Sequence, residues 1–387
     1  NNLKKIKKGF FYMINNSIPE DIIKIQKKLA SLEKDSRNYR KYTKILAKHI
    51  KSHTMKKRVV SHIKTIEIIE LNDEKLVAGL HTYIARDTKN KMALGFGGYF
   101  MQTYSVRLQM MKLATGISVL GISKSNLSNM SLVIPSKQEQ EKIASFLISI
   151  DKKIEQLTKK EELLQQYKKG VMQKIFNQEI RFKADDGSEF CEWEEKTIDK
   201  LPILISDGNY GELYPTSDDF KPNGVPFLRA NNIKNLKIDT SDTKYISEEQ
   251  HSTLTAGHLL TNDILITTRG ELGNLALIEN EHNGSNINAQ ICLLRITDTS
   301  KLNYLYLLYA LDYRDSKKQY KAFETGTALK QLPKGNLKKV KLKVPCLEEQ
   351  TKIANFLSST DNKIEQVQKQ LNFIKEFKKA LLHQMFV

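Results

Sequence analysis

Cysteine is scarce. Only Cys191, Cys292 and Cys346 occur among 387 residues, and no two of them form a CxxC pair. That scarcity argues against a disulfide framework and a structural zinc site, and it suits a reducing cytoplasm. Long apolar runs are missing too. None approaches the ~18 residues that would cross a bilayer, and no secretory signal pattern is visible, so a soluble cytoplasmic protein is expected. Acidic side chains are outnumbered, 44 against 62 lysines and arginines, leaving a formal charge of +18. An imbalance of that size favours a polyanionic partner, because each neutralised phosphate releases counterions. The length allows two or three domains and a sizeable core.

Signatures of chemistry are equally thin. Gly95-Phe-Gly-Gly98 is too short to cradle a phosphate and no Gly-Lys-Ser/Thr follows, so a turn between strands is expected there. His49 and His53 stand four apart, a metal-ligand spacing on a helix, but no nearby acid or cysteine completes a site. They read as surface or phosphate-facing residues. Glu194-x-Lys196 near Asp185 and Asp186 only faintly suggests a nuclease metal site and lacks the usual proline-aspartate strand context. These read as structural or solvated residues. No Asn/Asp-Pro-Pro-Tyr/Phe sequence of the kind amino-methyltransferases use is present. The expectation is a chain with no catalytic residues, no metal and no cofactor of its own.

What the sequence does contain is a repeat. Thr115–Phe176 aligns without a gap with Thr325–Phe386, with about 24 of 62 positions identical. Thr115-Gly116 matches Thr325-Gly326, Asn126-Leu127 matches Asn336-Leu337, and Pro135 matches Pro345. Glu139-Gln140, Lys142-Ile143-Ala144 and Lys153-Ile154-Glu155-Gln156 recur as Glu349-Gln350, Lys352-Ile353-Ala354 and Lys363-Ile364-Glu365-Gln366. Each copy reads as a short strand, a proline stop and a long helix. The first helix has apolar positions at Ile143, Leu147, Ile150, Ile154, Leu157, Leu164, Val171 and Ile175. The second has Ile353, Leu357, Ile364, Val367, Leu371, Ile374, Leu381 and Met385. Steps of mostly three and four keep one narrow seam on one face, as a coiled coil requires. Ser136 with Glu139 fits a capping box at the first start, where the second has Cys346. About 40 residues make a rod of roughly 60 Å. Mutual packing of the two seams is expected, the alternative being that each docks elsewhere. Lys152, Lys153, Lys159, Lys160, Glu161 and Glu162 read as solvated flanks of the first rod.

Before each copy lies a longer segment. The second contains strand-like runs at Ile203–Ser206 and Asp263–Thr268, with turn signals at Asp207-Gly208, Pro222-Asn-Gly224, Arg269-Gly270 and Asn283-Gly284. A helix is expected over Leu302–Ala322. The first segment is more helical, above all at Pro19–His53, and turns strand-like at Val77–Leu80. Its last helix, near Gln102–Leu113, aligns with Asp312–Phe323 at the same offset. A duplicated scaffold carrying divergent segments presents two different surfaces. On DNA that predicts an asymmetric, two-part site in place of the palindrome read by a homodimer.

The sequence resembles the specificity subunit of type I restriction-modification systems. The resemblance is carried by Trp193-Glu-Glu-Lys196, Gly224-Val-Pro-Phe-Leu-Arg-Ala-Asn-Asn-Ile-Lys234, Asn262-Asp-Ile-Leu-Ile266, the Gly-Thr-x-Leu pattern at Gly326–Leu329 and Val344-Pro-x-x-Glu-Glu-Gln350. Leu80-His-Thr-Tyr-Ile-Ala-Arg86 with Gly95-Phe-Gly-Gly-Tyr99 looks like one variety of first recognition domain. The fold class it implies is α+β. Two α/β target recognition domains are separated by two long antiparallel helices that form a coiled coil, with a pseudo-two-fold internal repeat. The corresponding divisions are 1–114 and 179–324 for the recognition domains, and 115–178 and 325–387 for the conserved helical regions. The resemblance further implies double-stranded DNA as ligand, with two methylation subunits and restriction subunits as partners. S-adenosylmethionine belongs to the methylation subunits. DNA-mimic inhibitor proteins would suit the same basic surface, and no membrane is involved. One departure stands out. The second half opens with Ile180-Arg-Phe182 and Trp193–Lys196, as whole chains of the family begin, while Lys7–Met13 looks like the counterpart of Thr261–Thr267. Some N-terminal residues are therefore expected to be missing.

Base reading needs bidentate donors and acceptors, such as arginine on guanine or an amide on adenine, whereas phosphates need only charge or hydroxyls. In the second domain the residues that meet this requirement are Arg229, Asn231, Asn232, Thr268, Arg269, Asn286, Asn288 and Gln290. In the first they are Lys57, Arg58, His81, Tyr83, Arg86, Tyr99, Gln102 and Tyr104. Two other classes compete with a DNA-reading subunit. An enzyme fused to its reader would need a methyltransferase half, and a coiled-coil protein that organises DNA would show little sequence preference.

Overall fold

The computed structural model describes residues 83, 85–114, 121–211, 214–327 and 329–386. The helix expected at Pro19–His53, the strand at Val77–Leu80, the Lys7–Met13 segment, His49, His53 and Thr115-Gly116 lie outside the described residues. In chain order the elements begin with helices α1 (Phe96–Phe100), α2 (Tyr104–Leu113), α3 (Lys124–Ser128) and the long α4 (Lys137–Phe176). Strands β1 (Glu194–Thr197), β2 (Ile203–Asp207), β3 (Val225–Leu228), β4 (Ile233–Lys234), β5 (Lys237–Ile238) and β6 (Lys244–Ile246) follow. Next come α5 (Glu248–Thr253), β7 (Ile264–Thr267), β8 (Leu275–Leu277), β9 (Asn286–Ile287) and β10 (Ile291–Ile296). The chain closes with α6 (Tyr304–Asp312), α7 (Arg314–Phe323), α8 (Lys334–Leu337), β11 (Lys341–Val344) and the long α9 (Leu347–Met385).

Two compact units result, one made of Asn1–Glu162 with Gln366–Val387 and the other of Leu163–Glu365. Each long helix contributes to both. The seam residues predicted from spacing are buried or half-buried throughout, from Leu147, Ile150 and Leu157 on α4 to Leu357, Val367, Leu371 and Ile374 on α9. In the first unit Lys378 Nζ pairs with Asp151 at 2.5 Å and Gln368 Nε2 donates to Glu161 at 2.9 Å. One number rises as the other falls, so the helices run antiparallel there. In the second unit Lys168 meets Asp361 at 2.6 Å.

The repeat reaches down to single hydrogen bonds. Buried Gln140 accepts from the Ala93 amide and donates to the carbonyls of Lys91 and Pro135. Gln350 does the same with Asn303, Lys301 and Pro345. Asn126 Nδ2 donates to Leu113 O, and Asn336 Nδ2 to Phe323 O, at 3.0 and 2.9 Å. Tyr99 donates to Asp151, which Lys378 also contacts, with the ammonium 5.2 Å from the ring centroid. Tyr309, Asp361 and Lys168 repeat that cluster, with a ring distance of 5.0 Å. Each cluster takes aspartate from one copy of the repeat, tyrosine from the segment before that copy, and lysine from the other copy.

The second unit is built on an antiparallel sheet of order β2-β10-β7-β8. Period-two alternation divides its side chains between two cores. Ile264, Ile266, Cys292 and Leu294 face α6 and the start of α9, where Tyr306, Leu307, Ile353 and Leu357 are buried. Leu265, Ile291 and Leu293 face the other way, onto Leu228, Ile233, Leu259 and Ile287. Strands β6, β3 and β9 form a second small sheet, with β3 and β9 parallel.

Two sequence expectations need correction. Gly95–Gly98 is not a turn between strands. Gly95, at φ 81°, leads into α1, and Phe96 and Phe100 are buried with rings 5.4 Å apart. Helical i,i+4 spacing of two aromatics decided the matter. The helix expected over Leu302–Ala322 is broken at Tyr313, which is extended at φ −65°, ψ 148°. Its ring stacks on Phe176 at 4.8 Å and its hydroxyl bonds Asn177, so tertiary packing overrides local propensity. Among the described residues the strand expected in each repeat copy is seen in the second, where β11 pairs with β1 from Glu194↔Val344 to Thr197↔Lys341. Ser131–Ile134 has no ladder partner among the described residues.

Candidate nucleic-acid interface

In the second unit, loops that follow β2, β3, β7 and β9 meet at one rim. The Asn288 amide donates to Leu228 O at 2.9 Å, which ties the loop after β9 to the end of β3. Thr268 N–H donates to Gln290 O at 2.8 Å, and Leu332 N–H to Thr268 O at 2.9 Å. Arg269 then bridges to Gln331. Tyr210 reaches the Ala289 carbonyl at 3.3 Å, and its ring lies 5.2 Å from the Arg269 guanidinium. Gly208 allows this closure. A Cβ there would stand 2.3 Å from Ile287 O and 2.6 Å from the Asn288 carbonyl carbon.

Of the eight candidates in this domain, Asn231 and Gln290 are exposed, and Arg229 and Arg269 are half-buried. Arg229 pairs with Asp242 at 2.8 Å, and Asn231 Nδ2 reaches the same carboxylate at 3.3 Å. The hydrogen bond and charge of Arg229 hold Asp242 below the usual carboxylate range. Among the described residues Arg269 forms no ion pair with a carboxylate; its partner is the Tyr210 ring. Burial, and then the Asp207 carboxylate, push the Tyr210 phenol up, so it stays a neutral donor at physiological pH.

The other four are buried within the frame. Asn232 is 1% exposed, accepting from Arg229 N–H and donating to Asp239 O. Thr268 is buried, with its hydroxyl on Gln290 O. Asn286 is fully buried on β9 and donates to Ala256 O. Asn288 is buried; its Nδ2 donates to Gln290 Oε1 and its Oδ1 accepts from the Gln290 backbone N–H. These residues hold the loops whose exposed neighbours face outward.

Two residues at the rim escaped sequence reasoning. Tyr210 is half exposed. Lys334 anchors on Asp207 at 2.9 Å, and that hydrogen bond raises its already high pKa. Asp207 also accepts from the Cys292 thiol at 2.6 Å, and burial followed by that carboxylate pushes the thiol up. An aromatic three residues beyond the Asp207 turn was the available signal for Tyr210. Nothing local marked Lys334, which arrives from over a hundred residues away.

In the first unit Lys57, Arg58 and His81 lie outside the described residues. Tyr83 and Tyr104 are exposed, the former donating to Ile122 O at 3.0 Å and the latter 6.0 Å from the His383 ring. Arg86 is exposed, and Gln102 Nε2 bonds Gly98 O within the helical region. Tyr99 is half-buried, and its hydroxyl donates to Asp151 at 2.7 Å. The residues weighed as a nuclease site serve structure: Asp185 pairs with Lys352, Asp186 holds Ser188, and Glu194 pairs with Lys196. No group of three or more metal-ligating side chains is gathered among the described residues.

The second unit thus carries an arginine- and amide-bearing rim, and the two long helices carry the duplicated frame. The model of the type I restriction modification DNA specificity domain matches residues 19–165 and 192–376, and the chain belongs to that family of specificity subunits. Its curated relatives include two from Methanocaldococcus jannaschii. The one named "Putative type I restriction enzyme MjaX specificity subunit" is 26% identical over 88% of this chain and 76% of its own length. The MjaVIII specificity subunit is 25% identical over 78% and 72%. Among solved structures, the type I restriction-modification S subunit of M. genitalium has the same fold, with a TM-score of 0.52 at 19% identity, covering 77% of this chain and 73% of that one. Specificity subunits are non-catalytic DNA-recognition subunits. No helix among the described residues is long and apolar enough to cross a membrane.

Proposed function

We propose that the chain reads a bipartite, asymmetric DNA sequence, one part through each recognition domain, and positions methylation and restriction subunits on it in the cytoplasm. The observation that carries this reading is the duplicated frame. The Gln140 and Gln350 contacts recur bond for bond, while the residues between the two copies differ. A repeated frame with unlike loops presents two unlike surfaces, and unlike surfaces suit unlike half-sites. In the second domain the contacts come from Arg229, Asn231, Arg269 and Gln290, joined by Tyr210 and Lys334. In the first they come from Tyr83, Arg86, Gln102 and Tyr104, with Lys57, Arg58 and His81. The boundaries given above, 1–114, 115–178, 179–324 and 325–387, are the working division into readers and helical regions. S-adenosylmethionine would be held by the methylation subunits, and DNA-mimic inhibitors would compete for the rim. Methylome sequencing of cells with and without the gene tests the proposal. A two-part, non-palindromic methylated motif that vanishes with the gene is expected, and a palindromic or unchanged methylome would refute it.

A further inference from the structure

Two short turns face each other at the foot of the β4–β5 hairpin, Ala230–Asn232 before it and Thr240–Asp242 after it. Asn232 and Asp239 lock them together. Asp239 N–H donates to Asn232 O at 2.7 Å, and Asn232 Nδ2 donates to Asp239 O at 2.9 Å. Arg229, which leads into the first turn, follows Leu228, whose carbonyl holds the loop of Asn288 and Gln290. The paired turns therefore adjoin the rim. Asp242 stands at their outer corner. Arg229 Nη2 donates both to its carbonyl and to its Oδ2, at 2.8 Å each. Asn231 Nδ2 reaches the same Oδ2 at 3.3 Å. The other oxygen, Oδ1, lies 3.6 Å from Lys244 Nζ, beyond hydrogen-bond reach. The Asp242 side chain is 60% exposed, against 26% for Arg229.

An exposed carboxylate works against a surface that binds phosphates. It repels every duplex alike, and an exposed ion pair adds little to stability. What it offers is a fixed acceptor. The hydrogen bond and charge of Arg229 hold Asp242 below the usual carboxylate range, so at neutral pH the side chain accepts and never donates. In the major groove the donors are the exocyclic amino groups of adenine and cytosine, whereas guanine O6 and thymine O4 are acceptors that a carboxylate rejects. We propose that Asp242 is a specificity-determining residue of the second recognition domain, its carboxylate accepting the exocyclic amino group of one adenine or cytosine in the major groove. Arg229 and Asn231 fix the direction in which that carboxylate points. The inference rests on the DNA-reading function proposed above, and it adds the chemical group that one position must present.

Methylome sequencing of cells with the wild-type gene first defines the motif. Absence of a two-part motif there would sink the DNA-reading function, and this inference with it. Duplexes of the motif are then made in which each adenine or cytosine is replaced in turn by purine or 2-pyrimidinone, which lack the amino group. Binding is titrated with the full chain and its methylation subunits, as wild type and as Asp242→Ala. At one position the wild type should lose about tenfold in affinity. The variant, already weaker on the intact duplex, should lose nothing further there, which is the coupling expected of two groups in contact. Asp242→Asn, whose amide also donates, should tolerate the reversed base pair at that position. Independent losses at every position, with no analogue coupled to Asp242, would overturn the proposal while leaving the DNA-reading function intact. So would a lowered Tm with equal weakening on cognate and unrelated duplex, which would make Asp242 a part of the fold alone.

Discussion

A single methyl group tests the rim most sharply. Gly208 lies against the backbone of Ile287 and Asn288, so Gly208→Ala forces one of two strand ends to move. Overpacking of this kind costs about 1–3 kcal/mol. Denaturant unfolding should show that loss, and DNA binding should fall with it because the shifted loop carries Gln290. Arg269→Ala removes a guanidinium that rests on Tyr210. We expect binding to weaken by about 1–3 kcal/mol, measured by titration at fixed salt, with relaxed discrimination at one position of the methylated motif. Equal losses on cognate and unrelated duplex would instead assign Arg269 to a phosphate. Residue type identified the chemistry of this surface but not its exposure. Arg229 and Asn232 look alike as candidates in the sequence, yet one is half-buried beside Asp242 and the other is buried and fastens the turn from beneath. Burial of a polar side chain depends on what folds over it, and that is set by distant residues.

At the level of elements, the duplicated seam and the prolines before each long helix made α4 and α9 readable in advance. Helix spacing is local, so it survives in a single sequence. The break at Tyr313 was not readable, because its cause is the Phe176 ring and Asn177, over a hundred residues away. Ser131–Ile134 has no ladder partner among the described residues, and a ladder needs a second strand. The tyrosines packed between elements make a pH prediction. Burial drives the phenols of Tyr306, Tyr309 and Tyr320 upward, and for Tyr309 the Asp361 carboxylate adds to it. An unfolded phenol loses its proton near pH 10, while these keep theirs. The folded state then binds more protons than the unfolded one, so these groups leave stability unchanged below about pH 10 and lower it above. Urea midpoints between pH 8 and 11 should show that decline. Tyr309→Phe should lose about 1 kcal/mol at pH 8 with its hydrogen bond, yet decline less steeply above pH 10.

For the whole molecule, the proposed function makes the long helices a ruler. Inserting four residues in each adds about 6 Å, which should lengthen the unread gap of the methylated motif by roughly two base pairs. An unchanged gap in the methylome would show that the helices do not set it. The charge of +18 predicts that affinity falls steeply with salt, linearly on a logarithmic plot, for matched and unrelated duplex alike. The two Tyr–Asp–Lys clusters bear on how such a chain can change over generations. Because Lys168 serves Asp361 and Lys378 serves Asp151, a replacement in one copy is felt by the aspartate of the other. Neither half can drift independently at these positions, and lineages that alter one should carry a compensating change about two hundred residues away.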